Sequence, residues 1–265
     1  MDDLTKPGRI LLGISIIAFG LLPFVFGNSL EGLMPFPASV PGRIYVIYFD
    51  ACIFVVTGFC IAAGIKTRLA AMVAGFLFFL LFLGLDLPKL IANLRDGGVW
   101  TGAFELIALC GAAFIAGASA GGSPRTNGER TIGGHQTSGP GDWMSTVFAS
   151  GRYLVAVSFV VFGIQHFMYA NYVATIIPSW IPFRLFLTYL VGAAFFAFAL
   201  SIVLHILGRL SSLLMASMFF LWLLILHGPL VINNLHMETQ WTSFFVAMGM
   251  GGTFLLLADR FSKRL

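Results

Sequence analysis

The stretch GRILLGISIIAFGLLPF at residues 8–24 decides the fold, because it returns in mid-chain as GRYLVAVSFVVFGIQHF at residues 151–167. The two stretches share seven identical positions at an offset of 143 residues, and the segments that follow match at an offset of 141. Residues 8–114 therefore recur in residues 151–255. Self-similarity at a fixed offset is the signature of a repeated unit, so both copies predict the same set of elements.

The composition predicts an integral membrane protein. Of the 265 residues, 58% are hydrophobic and only 10% are charged, which is too little polar surface for a soluble globule. A helix needs about 20 mostly apolar residues to cross the hydrocarbon core. Eight segments qualify: approximately residues 8–27, 43–64, 68–88, 100–119, 151–170, 184–205, 209–229 and 241–258. We expect an all-α membrane protein with eight transmembrane helices in two parallel four-helix repeats, because four spans return the chain to its starting side.

Three regions follow from the repeat. Residues 1–119 form the first four-helix membrane repeat, and residues 149–265 form the second. Residues 120–148 are rich in Gly, Ser, Thr and Pro, which predicts a flexible cytoplasmic linker between the repeats. His135 lies in this linker, where we expect it to be solvated.

The basic residues predict the orientation in the membrane. Lys and Arg in short loops are retained on the cytoplasmic side. With the amino terminus inside, eleven of the fifteen Lys and Arg residues fall on that side, and only Arg43, Lys89, Arg95 and Arg184 fall outside. Both termini are therefore expected in the cytoplasm. The net charge of +4 indicates contact with anionic lipid headgroups, and no nucleic-acid-binding motif is visible.

Two segments on the outer side are too short and too rich in proline to span the membrane. They are residues 28–40, before the second helix, and residues 171–181, before the sixth. Their Met, Phe and Trp side chains indicate interfacial or partly re-entrant coverings. We expect these segments to act as lids.

The outer ends of the third and seventh helices carry matched residues. Pro88 and Pro229 are expected to end these helices, because proline cannot continue an α-helix. Thr101 and Thr242 follow tryptophans at the start of the next helices and are expected to cap them.

The candidate functional residues are those where the two copies differ in charge, because ionisable groups inside a bilayer are costly. A rise of about 1.5 Å per residue places the unmatched acids and histidines in the outer third of the membrane. We expect one pocket open to the outer side, with two arginines at its rim: Asp50, Asp86, Glu105, His166 and His227, with Arg43 and Arg184. Carboxylates and imidazoles together can relay protons or bind a polar ligand. The alternative is that these polar side chains only contact the polar headgroup region and form no site, because residues within two turns of a helix end reach headgroup water.

Neither metal nor redox-thiol chemistry is indicated. His166, His227 and His236 come from separate segments without ligand spacing, so no metal site is predicted. The three cysteines form no CxxC pair and are expected to be packing residues: Cys52, Cys60 and Cys110.

Short motifs in the first copy resemble the DoxX/DoxD-like family of membrane proteins. They are GRILLG at residues 8–13, FG at residues 19–20 and TRLA at residues 67–70. That family is similar to the small membrane subunit of thiosulfate:quinone oxidoreductase. The resemblance implies a bacterial cytoplasmic (inner) membrane, a possible quinone cofactor and a possible redox partner subunit, but it supplies no catalytic signature to carry over. It predicts a membrane component of a quinone-linked oxidoreductase.

Two other classes of function stay open on the residues alone. Parallel repeats with lids are compatible with a small-molecule or lipid transporter. A non-catalytic membrane scaffold is the third interpretation, so the sequence leaves open whether the protein is an enzyme.

Overall fold

The computed structural model describes residues 3–120 and 142–262, and these residues are helical with no strand. Nine helices are present in this part of the chain: α1 Thr5–Phe26, α2 Arg43–Ala63, α3 Thr67–Ala92, α4 Gly97–Ala120, α5 Asp142–Met168, α6 Ala170–Ile176, α7 Arg184–Leu204, α8 Gly208–Asn233 and α9 Glu238–Ser262. All except the short α6 are long and apolar enough to cross a membrane. The predicted class, an all-α membrane protein with eight spans, is confirmed.

The even number of spans gives the bundle two distinct faces. We call the face that carries Thr5 and Ser262 the terminal face, and the opposite one, with the loops after α1, α3 and α8, the distal face.

The predicted linker is shorter than expected, because α5 begins at Asp142. Residues 142–148 therefore extend the helix beyond the membrane-spanning length. Phe148 explains the extension, since its ring is only 2% exposed and packs against Phe114 and Gly117 of α4. The rest of the predicted linker, with His135, lies outside the described residues.

The helices do not close into two independent four-helix bundles. Helix α1 packs mainly on α2 and α9, whereas α4 packs mainly on α3 and α5. Helix α5 packs on α4 and α7, and α8 packs on α9. The first helix of each sequence copy thus rests on the fourth helix of the other copy.

Paired glycines make these two crossings close. A Cβ atom on Gly8 would lie 2.7 Å from the carbonyl oxygen of Gly252, and one on Gly151 would lie 2.7 Å from that of Gly111. Gly8 and Gly151 are counterparts in the repeat, as are Gly111 and Gly252. Small residues allow helix backbones to approach closely in membranes. The α1–α9 and α4–α5 crossings therefore use the same pair of positions.

The second copy has an aromatic centre. The ring of Phe159 on α5 meets rings from α7, α8 and α9 at centroid distances of 5.0 to 6.0 Å. These partners are Phe195, Phe198, Phe219 and Phe254. Edge-on aromatic contacts of this kind add to the energy of burial, so Phe159 ties four helices together.

Helices α3 and α8 continue past Pro88 and Pro229, so the expectation that they end there is wrong. Each contains a single π-helical turn just before its proline, over Phe82–Asp86 and Leu223–His227. A proline inside an α-helix clashes with the carbonyl four residues earlier. The wider π turn absorbs this conflict, and both helices resume as α-helix.

The loops after these helices are held by matched tryptophan bonds. Trp100 Nε1 donates to the carbonyl of Leu94 at 2.9 Å, and Trp241 Nε1 donates to that of Leu235 at 3.0 Å. Each indole thus fixes the preceding loop to the first turn of the next helix.

The two threonines next to these tryptophans are not helix caps, contrary to expectation. Helix α4 begins at Gly97 and α9 at Glu238, so Thr101 and Thr242 lie one turn inside. Thr101 Oγ1 donates to the Gly97 carbonyl at 2.9 Å, and Thr242 Oγ1 donates to the Glu238 carboxylate.

Candidate functional site

Asp86 is the most unusual polar residue of the distal half. It is the last residue of the π turn in α3, its side chain is only 4% exposed, and its Oδ2 atom has no hydrogen-bond partner. Burying a polar atom without a partner costs free energy. An intramembrane carboxylate of this kind is a functional candidate, because stability alone does not favour it.

Glu105 on α4 is the neighbour of this carboxylate. The charge of Asp86 acts on Glu105, and the opposite charge of Lys89, one turn after Asp86, acts on Asp86. In the second copy the corresponding residues are His227 and Val246. The carboxylate pair therefore belongs to the first copy alone.

A buried segment covers this region from the distal face. We call residues 27–42, between α1 and α2, the plug. Its side chains Leu30, Leu33 and Met34 are buried in the same core as the helices. These apolar side chains turn back into the bundle, so the plug covers part of its distal face.

Two cations hold the plug by its main chain. Arg43 donates to the Phe36 carbonyl at 3.1 Å and to Asn28 Oδ1 at 3.3 Å, and Lys89 Nζ donates to the Pro35 carbonyl at 3.1 Å. Arg43 was predicted at the rim of a pocket, and its guanidinium instead fastens the covering segment. Hydrogen bonds from charged donors are stronger than neutral ones.

The plug is also tied to the second copy. The Glu31 backbone N–H donates to Glu238 Oε2 at 3.1 Å, and Glu238 also accepts from Thr242. The predicted pocket did not include Glu238 or Lys89. Their repeat counterparts are Gly97 and Leu230, so the rule of unmatched charge could have found both.

Asp50 lies under the plug on a third helix. It lines a small cavity of about 10 Å³ together with Pro23 of α1 and with Met34 and Phe36 of the plug. A space of this size holds roughly one water molecule. Asp50 therefore lies beside the plug, as one wall of this cavity.

Glu105 is placed beneath the plug by its helix. Gly102, one turn toward the distal face, packs near the plug: a Cβ atom there would lie 3.8 Å from the Gly32 carbonyl oxygen. The structure thus gathers three of the predicted acids, Asp50, Asp86 and Glu105, around one segment.

The two predicted histidines lie in the second copy. His166 on α5 donates from Nδ1 to the Phe162 carbonyl at 2.8 Å and packs edge-on against Phe195. His227 ends the π turn of α8, and its Nδ1 atom is buried without a partner. His166 is satisfied within its own helix, whereas His227 is not.

Arg184 lines a different cavity, next to the short helix α6. This cavity of about 550 Å³ is formed with Asn171, Thr175 and residues 183–186. Neither Arg184 nor a histidine lines the small cavity that contains Asp50. One pocket that unites all seven residues stays a prediction.

The described residues contain no group of three or more His, Cys, Asp or Glu side chains placed to hold a metal ion. Cys110 is buried and Cys60 is half-buried, whereas Cys52 is exposed, so the expectation that all three cysteines are packing residues is wrong for Cys52.

No family model matches the chain, and no curated protein or solved structure is similar enough to count as a match. The residues themselves thus carry the functional inference.

Proposed function

We propose that this protein is a DoxX/DoxD-like membrane component of a quinone-linked oxidoreductase. It would lie in the bacterial cytoplasmic membrane as two parallel repeats, with the terminal face in the cytoplasm. The single observation that carries the proposal is the buried Asp86 carboxylate, which has an unpartnered oxygen and stands beside Glu105.

The proposed role of the pair is proton transfer. Reducing a quinone to a quinol adds two electrons and two protons. The electrons would come from a redox partner subunit, and the quinone carries the redox chemistry itself. Two neighbouring carboxylates away from water favour sharing one proton, because like charges repel strongly there. Asp86 and Glu105 can then hand this proton to the quinone, recover another from the distal side and hand that over as well, which supplies both protons of the quinol.

The plug supports this role by limiting access to water. Its leucines are buried in the helical core, and Lys89 bonds the plug from the same helix that carries Asp86. Proton exchange with the distal side would then run along polar side chains rather than through bulk water. A closed site of this kind also protects reduced intermediates from side reactions.

Quinone retention and quinone reduction test the proposal separately. Protein purified from native membranes in mild detergent is expected to carry extractable quinone. Asp86→Asn and Glu105→Gln should retain it but slow quinone reduction by native membranes about 100-fold, the usual effect of losing a general acid or base. Asp96→Asn is the matched control, because Asp96 lies in an exposed loop and bonds only backbone N–H groups in the described structure. Wild-type protein without quinone, or an unchanged rate in Asp86→Asn, would refute the proposal.

A transporter is the second candidate, and the plug is the observation that favours it. A covering segment held by a few hydrogen bonds above an unpartnered carboxylate resembles a removable gate. Purified protein in sealed vesicles would then move protons or a small polar solute, which a pH-sensitive dye inside the vesicles detects. A chain in which all three acids are replaced and cellular function persists would indicate a scaffold.

A further inference from the structure

A large cleft opens between α1 and α9 near the distal face. It has a volume of about 570 Å³. Side chains from positions 18–26 of α1 form one wall, which is roughly 12 Å of helix, and Trp241 and Phe245 of α9 form the other. Leu21 and Val25 of the α1 wall are 48% and 73% exposed. Exposed apolar side chains of a spanning helix face lipid, so the cleft is open to molecules dissolved in the membrane.

The matching junction of the repeat, between α5 and α4, is closed by two polar side chains. Gln165 Nε2 donates to the Gly97 carbonyl at 2.8 Å, and the Tyr169 hydroxyl donates to the Arg95 carbonyl at 3.3 Å. The Tyr169 ring also lies against Gly97, where a Cβ atom would approach within 2.7 Å of it. These contacts join the two helices at the place that corresponds to the cleft.

The α1–α9 junction has lost all three of these contacts. The counterparts of the glutamine and the tyrosine are Leu22 and Phe26, so neither hydrogen bond can form. The counterpart of Gly97 is Glu238, whose Cβ atom keeps a ring out of the matched position. Three substitutions therefore act in the same direction and leave an apolar cleft where the other junction is closed.

The lining of the cleft favours a flat ring. The rings of Trp241 and Phe245 are stacked at a centroid distance of 6.2 Å, and Phe26 supplies a third ring. Aromatic contacts add to the energy of burial, whereas an acyl chain gains little, because the lipid around the protein is equally apolar. His236 also lines the cleft and is exposed, and an imidazole can donate to a carbonyl oxygen or accept from a hydroxyl. The lining thus suits a lipid-soluble ring that carries an oxygen.

We propose that this cleft binds the ring of a membrane quinone or its quinol. The choice of a quinone rests on the proposed function, whereas the place and the preference for a ring rest on the cleft. The ring packs against Trp241 and Phe26, one of its oxygens bonds the His236 imidazole, and the apolar tail extends into the lipid.

The plug connects this cleft with the proposed proton-transfer pair. A Cβ atom on Gly32 would lie 3.6 Å from the Thr239 side chain, in the first turn of α9. The Gly32 carbonyl oxygen also lies near Gly102, one turn before Glu105 on α4. One residue of the plug therefore lies between the helix that lines the cleft and the helix that carries Glu105.

A photoreactive azide of a decyl-substituted benzoquinone tests the proposal on the purified protein in detergent. Mass spectrometry of the labelled peptides locates the probe, and competition by the unlabelled quinone gives its affinity. We expect saturable labelling of residues 18–26 and of the first two turns of α9, which the unlabelled quinone suppresses and decanol does not. Equal suppression by decanol would show that an acyl chain fills the cleft. That result, or labelling only elsewhere in the chain, would overturn the proposal.

Two matched tryptophans decide whether the cleft is responsible. Trp241→Leu and Phe26→Leu should each weaken quinone binding about fivefold, because each removes an aromatic wall. Trp100→Leu removes the corresponding indole and its loop bond in the closed junction, and it should bind like the wild type. Phe26→Leu keeps the test valid if Trp241→Leu does not fold. An unchanged affinity in both cleft variants, or an equal loss in Trp100→Leu, would contradict the assignment.

The same probe separates this inference from the proposed function. Asp86→Asn should label in the cleft like the wild type, because Asp86 does not line it. If Asp86→Asn slows quinone reduction while both cleft variants bind normally, the cleft is not the site and the proton role stands. If the probe binds the cleft but Asp86→Asn reduces quinone at the wild-type rate, the proton role fails and the cleft stands. Disulfide cross-linking of two copies through Val25→Cys would show that a second copy covers the cleft, which also refutes the inference.

Discussion

The distal segments of the two copies occupy corresponding places in the chain and behave in opposite ways. In the first copy the plug buries Leu30 and Leu33 in the helical core. In the second copy the same connection contains helix α6 and leaves Tyr172 and Trp180 largely exposed. The helices on either side keep matched glycine contacts, π turns and tryptophan bonds. The two copies therefore share their helix contacts and differ in their distal segments.

The chemistry follows the same division. The buried, unpartnered Asp86 lies one turn before Lys89, which bonds the plug, whereas the second copy has a histidine at that position and an exposed distal segment. An apolar cover strengthens every electrostatic interaction beneath it, because it excludes water. The proposed proton-transfer pair therefore lies in the copy whose distal segment is buried.

The largest expected effect concerns the aromatic centre of the second copy. Phe159→Ala should lower the free energy of unfolding by about 3–5 kcal/mol, because it opens a cavity between four helices. Denaturant-induced unfolding in mixed micelles measures the change. Phe186→Ala is the control, since that ring is 64% exposed and should cost little. If both variants lost the same free energy of unfolding, the stability of the second copy would not depend on the rings around Phe159.

The next effect concerns the crossings that the two copies share. Gly111→Ala should destabilise the protein by about 1–3 kcal/mol, because the new methyl group would press on the Gly151 carbonyl. Gly84→Ala, at a position with open space around it, provides the same substitution without the clash. Unfolding midpoints that coincide for the two variants would break the claim that glycine contacts join the halves.

The smallest effect concerns the plug itself. Lys89→Met removes the bond to the Pro35 carbonyl and should loosen the plug by about 1 kcal/mol, or roughly fivefold in its open population. Maleimide labelling of a Ser29→Cys variant without the native cysteines reports this opening, since Ser29 is buried. A cysteine at Thr175 in the exposed α6 should label equally fast with or without Lys89. If Ser29→Cys labels as fast as Thr175→Cys in the parent, the contrast between the copies is lost.

The eight spans could be read from the sequence because apolar length is a local property. The continuation past Pro88 could not, because it depends on a π turn that the surrounding helices stabilise. The burial of Leu33 was likewise hidden, since a segment too short to span carries no periodic signal of its own. The pairing of α1 with α9 needed the packing of distant helices, which the order of elements along the chain does not reveal.

The acids of the candidate site could be named from charge differences between the copies and placed at one depth from the helix rise, but their contact with a buried distal segment could not be predicted. Asp50, Asp86 and Glu105 come together because three helices and the plug meet. Lys89 was missed because a cation next to a helix end is expected to reach water, whereas here it bonds a carbonyl of the plug. The role given to Arg43 changed for the same reason: the acceptor lies fifteen residues earlier in a segment without regular structure.

The exchanged contact between first and fourth helices has a consequence for the origin of the chain. A four-span ancestor with the same crossings would complete its fold only as a homodimer, in which every substitution appears twice. Fusing two such subunits into one polypeptide removes that constraint. One half could then acquire Asp86 while the other half acquired His227. A homodimer of identical subunits cannot have two different residues at this position.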